Sequence, residues 1–150
     1  MGYHMQVEGI EFLIREKNKK KALEAIKSLN SDNGSGGRWE PESGKTKSWF
    51  SWVDTEEFMS AETLEAALEA WRWPVYFEGE LCDGVTDITD LTFEGEKLGD
   101  DVYLFRAIAP YVESGSYIRM RGEDNEVWRW LFRDGKCLEQ GAIITFEWPE

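Results

Sequence analysis

From Gln6 to Ile14 the chain alternates, with Val7, Ile10, Phe12 and Ile14 set against Glu8, Glu11 and Arg15. A period of two predicts a strand with one buried face, and Gly9 inside it marks a bulge position. The period then changes. Ala22, Leu23, Ile26 and Leu29 make one helical stripe behind Asn18 as cap, and the surrounding lysines, Lys17 to Lys21, read as a solvated helix start. A second stripe, Leu64, Ala67, Leu68 and Trp71, follows Ser60 as N-cap, with Glu62, Glu65 and Glu69 directed outward. Pro74 ends that helix, and Val75 to Phe77 predicts a strand. A turn at Cys82-Asp-Gly84 leads into a strand from Val85 to Phe93, so that Glu78, Glu80, Glu94 and Glu96 share one hairpin. A third helix starts at Gly99 to Asp101, buries Leu104, Phe105 and Ile108, and ends near Pro110. Tyr117–Arg121, Val127–Arg133 and Ala142–Trp148 read as strands, with turns at Glu123–Asn125 and Asp134–Gly135.

Part of this pattern occurs twice. Gly37, Trp39, Gly44, Phe50 and Trp52 line up without a gap with Gly115, Tyr117, Gly122, Trp128 and Trp130. Ile10-Glu-Phe12 answers Leu91-Thr-Phe93, and Ala25-Ile26 answers Ala107-Ile108. The fold expected is α+β: antiparallel sheet with three helices, built from two strand-helix-strand-strand repeats plus an inserted helix and strand. It forms a single domain over residues 1–150, with repeats at about 7–53 and 88–132 and an acidic insertion at about 54–87.

Composition fits a packed domain: 41% of residues are hydrophobic, with eight Trp and eight Phe. No run approaches the roughly 20 apolar residues of a membrane span, and the start carries no secretory pattern, so a cytoplasmic protein is expected. Cys82 and Cys137 are too far apart for a C-x-x-C site and read as free thiols.

The net charge of −13 is uneven. Residues 54–101 hold 15 acids against Arg72 and Lys97, which equals the whole excess. Such acidity repels phosphate and argues against direct nucleic-acid binding. Dispersed acids also serve solubility, but confinement to one segment adds self-repulsion and points to a basic partner.

Catalytic signatures are scarce. The one histidine, His4, is terminal, which leaves no Ser-His-Asp or Cys-His arrangement and no zinc set. Gly44-Lys-Thr46 has the end of a phosphate-binding loop, but Trp39 stands where its first glycine belongs. No metal, cofactor or catalytic residue is assigned. The tryptophans serve the core first. A pocket of Trp73, Trp128 and Trp130 with Arg129, between the repeats and reached by Arg119 or Arg121, is the second use open to them.

Phe93-Glu-Gly-Glu-Lys-Leu-Gly-Asp-Asp101, Gly115-Ser-Tyr117, Gly122-Glu-Asp124 and Trp128-Arg-Trp130 resemble small acidic proteins of phages and prophages. The duplicated unit is similar in fold to GyrI-like effector-binding domains, without their functional motifs. The first resemblance implies a phage-linked cytosolic protein that binds host machinery. The expected function is therefore a non-enzymatic acidic binding protein, an inhibitor or nucleic-acid mimic, that occupies a basic surface of a host protein. Its partner-binding residues are Glu62, Glu65, Glu69, Glu78, Glu80, Asp83, Asp87 and Asp90. The alternative is a small-molecule or nucleotide module using the aromatic pocket.

Overall fold

The computed structural model describes residues 4–29, 53, 55–77, 80–81, 86–95, 100–143 and 145–148. Met5–Glu11 (β1) is followed by a helix at Lys19–Ser28 (α1). Two short helices, Thr55–Ser60 (α2) and Leu64–Ala70 (α3), precede a small hairpin, Tyr76–Phe77 (β2) and Glu80–Leu81 (β3). Asp101–Ile108 (α4) leads to a meander of Tyr117–Gly122 (β4), Val127–Arg133 (β5) and Lys136–Gly141 (β6). The main sheet is antiparallel in the order β1-β4-β5-β6, and the class is α+β as the periods of two and 3.6 predict.

The bulge is where glycine marked it. Val7 pairs with Met120 and Gly9 with Arg119, so Glu8 is the extra residue. This also settles a conflict of phase. Val7 lies one step out of register with Ile10, Phe12 and Ile14, and the inserted residue lets all of them turn to the core.

One face of the sheet, carrying Ile118, Met120, Trp130 and Phe132, joins Ala22 and Ile26 of α1 and Leu104, Phe105 and Ile108 of α4 in one hydrophobic core. Trp73 lies at its centre, with ring centroids 5.0 Å from Phe105 and 6.0 Å from Trp130. Of the duplicated positions, Ile26 and Ile108 are both wholly buried. The remainder of the first copy, residues 30–52, lies outside the described residues.

Helix α3 ends in a Schellman motif: Trp73 N–H reaches Leu68 O at 2.8 Å and Arg72 N–H reaches Glu69 O at 2.9 Å. The left-handed position is Arg72, at φ 72°, where glycine is usual. Its guanidinium is held between the ring of Phe93, 5.0 Å from the centroid, and the buried carboxylate of Asp101 at 3.3 Å. Asp101 Oδ1 also accepts from Trp73 Nε1 at 2.9 Å. Burial pulls the Arg72 guanidinium below its ordinary value, and Asp101 opposes that pull.

Three expectations change. The cap of α3 is Thr63, whose Oγ1 accepts from Ala66 N–H at 3.1 Å, and Ser60 instead ends the separate α2. Residues 86–93 contribute isolated bridges, Ile14 with Ile88 and Val75 with Leu91, in place of a continuous strand. The last strand is Lys136–Gly141, not Ala142–Trp148. Asp134 and Gly135, at φ 52° and 79°, form a two-residue turn that pairs Arg133 with Lys136 at once, so the strand begins and ends earlier.

Candidate functional site

Helices cover one face of the sheet, and the other face carries the charge. Register places Arg119, Arg129 and Gln140 in one row across β4, β5 and β6, with Tyr117, Leu131 and Leu138 in the next. Arg121, Arg133 and Lys136 share this side, and Glu8 and Glu11 are its acids. In a chain of net charge −13 this face is a basic enclave.

Its cations are fixed to different degrees. The bulge delivers Glu8 to two of them. Its carboxylate accepts from Arg121 Nε at 2.8 Å and from Arg121 Nη2, and lies 3.3 Å from Arg119 Nε. Gly9 keeps the floor low: a Cβ there would stand 3.2 Å from Arg119 Nη2. Arg129 donates to Gln140 Oε1 at 2.6 Å and lies over the Tyr117 ring, 5.7 Å from its centroid. Among the described residues no carboxylate lies within ion-pair distance of Arg129. Beside it is a cleft of about 380 Å³ lined by Arg119, Val127, Trp128, Arg129, Gln140, Gly141, Ala142 and Ile143. The indole N–H of Trp128 is buried with no acceptor among the described residues.

The residues expected to line a pocket between the repeats are divided. Trp73 and Trp130 are buried in the core, because strand alternation turns Trp128, Trp130 and Phe132 to the helices and Arg129 to solvent. Trp128 and Arg129 still meet at one cleft, since Trp128 lies near the start of its strand, at the rim where β6 runs out at Gly141.

The acidic set divides. Glu62, Glu69, Asp87 and Asp90 are exposed. Asp87 Oδ1 accepts from Glu16 N–H at 2.7 Å. Glu65 does not face out: it is 4% exposed and bonds Lys19 Nζ at 2.6 Å, while Lys19 also donates to Thr86 O at 3.0 Å. Leu64 and Leu68 are both buried, and α1 passes over the face of α3 that holds them and Glu65. Lys19 accordingly leaves the solvated set. Glu78 and Asp83, and the side chain of Glu80, lie outside the described residues.

Among the described residues no group of three His, Cys, Asp or Glu side chains could hold a metal ion, and no helix is long and apolar enough to cross a membrane. Cys137 lies on the core side of β6, opposite Phe132, and burial pushes its thiol from 9.0 up to about 12. An unfolded chain loses that proton near its ordinary value, whereas the folded chain holds it. Between pH about 9 and 12 ionisation therefore favours unfolding, and stability falls as pH rises through that window. Cys137→Val is expected to flatten this decline in urea titrations, and equal slopes in both proteins would refute the assignment. In comparisons with family models, curated proteins and solved structures, nothing matches this chain.

Proposed function

We propose that this protein is a binding module whose open sheet face holds an anionic ligand with a flat or apolar part, of the kind a nucleotide or aromatic carboxylate presents. The observation that carries this is Arg129, a cation without a carboxylate partner among the described residues, set with Arg119 beside a cleft whose lining includes Val127 and Trp128. Guanidinium groups bind planar anions through two parallel hydrogen bonds, and the exposed side of a tryptophan suits a ring. Thermal-shift and tryptophan-fluorescence titrations with nucleotides and aromatic carboxylates test it. At least one anion class should raise the melting temperature, and Arg129→Glu should weaken that binding by roughly tenfold or more, as loss of one charge-assisted contact implies. No response to any anion, or an unaltered affinity in the variant, overturns the reading.

A second reading has its own support. Glu56, Glu57, Glu62, Glu69, Asp87, Asp90 and Glu94 are all exposed, while Arg72, the one described cation between residues 54 and 101, is turned inward onto Asp101. That leaves an acidic surface suited to a basic site on a host protein, in keeping with the resemblance to phage proteins. Capture from bacterial lysate should then weaken steeply between low and high salt. A salt-insensitive complex counts against it.

A further inference from the structure

Beyond β6 the chain carries Ile143, Phe146 and Trp148 at 91, 92 and 94% exposure. Isolated exposed hydrophobics are ordinary, but three in six residues at this level make an apolar cluster of the kind that marks an interaction site. Ile143-Ile144-Thr145 is β-branched, and no Gly or Pro occurs from Ile143 to Trp148. Such a run favours extended chain over reversal. The arm also starts at the cleft itself, since Ala142 and Ile143 form one of its walls. Phe146 and Trp148, at this exposure, do not pack in the cleft of their own chain.

The two features match in chemistry. The cleft offers Val127 and Trp128 as apolar lining and Arg119 and Arg129 as cations. The arm offers two aromatic rings flanking Glu147. Each chain has one of each, so a pair of chains can satisfy both at once and close under two-fold symmetry. We propose that two copies of this protein exchange their C-terminal arms, Phe146 and Trp148 of each packing in the other's cleft and Glu147 pairing with Arg129. This deepens the proposed function, because it names the resident occupant of the same cleft. Burying the rings of both arms removes on the order of 1,000 Å² from water, near the lower limit for a specific interface, so the pair should dissociate on dilution.

Sedimentation of the full chain from about 1 µM to 1 mM tests this, a range that brackets weak association. The mass should rise toward twice the monomer value. Phe146→Ser with Trp148→Ser should abolish the rise, and Arg129→Glu should shift the midpoint at least tenfold. Mixing Arg129→Glu with Glu147→Arg chains should restore association. A monomer throughout overturns the exchange, as does association that the double serine variant leaves unchanged. A monomeric chain that still responds to anions refutes the exchange and keeps the ligand reading, whereas a dimer blind to every anion does the reverse.

Discussion

Asp101→Ala should lower the free energy of unfolding by about 3–5 kcal/mol, the range for removing one partner of a buried charge pair. Asp101 is 2% exposed and accepts from the Arg72 guanidinium and the Trp73 indole. Truncation takes the carboxylate from a guanidinium whose side chain is only 14% exposed. It also removes a negative charge from the first turn of α4, where the helix dipole favours one. Asp101→Asn keeps an acceptor for Trp73 and loses the charge, so its cost should fall between wild type and alanine. Urea unfolding followed by tryptophan emission measures both. A loss under about 1 kcal/mol for alanine would place Asp101 among ordinary surface acids and discard this account.

Glu65→Ala should cost up to a similar amount, about 3–5 kcal/mol, because it takes the carboxylate from the ammonium of Lys19 between α1 and α3. The side chains are 11% and 4% exposed for Lys19 and Glu65, so water replaces the lost partner only in part. The sharper test is the pair. Lys19→Met with Glu65→Met removes both charges and keeps volume, and it should recover most of the loss, since burying two ions is itself expensive. If the double variant is as unstable as the single one, the salt bridge is not the cause. Lys19 also ties α1 to the backbone at Thr86, so hydrogen exchange should quicken there in the single variant.

Both clusters show what local pattern can and cannot reveal. The periods of two and 3.6 exposed β1, α1, α4, β4 and β5 to within a few residues, because each buries one regular face. The bulge was readable from one glycine. Glu65 was not readable, since its spacing from Glu62 and Glu69 is that of an outer face and its partner lies 46 positions upstream. Nothing near Arg72 in sequence announces Asp101, 29 positions on. The arginine row of the open face needs the register of three strands, which no single strand specifies. Even so, Trp128 and Arg129 were singled out from sequence, and they meet at the cleft for a different reason from the one expected.

The order of strands also has a history in time. β4, β5 and β6 are joined by tight turns and can pair as they are made. β1 cannot: Glu8 and Arg121, which meet across the β1–β4 seam, are 113 positions apart. Ile10 pairs with Ile118, so its place in the sheet waits for β4 to be made. Within this sheet β1 is made first, yet it can be paired only once β4 follows.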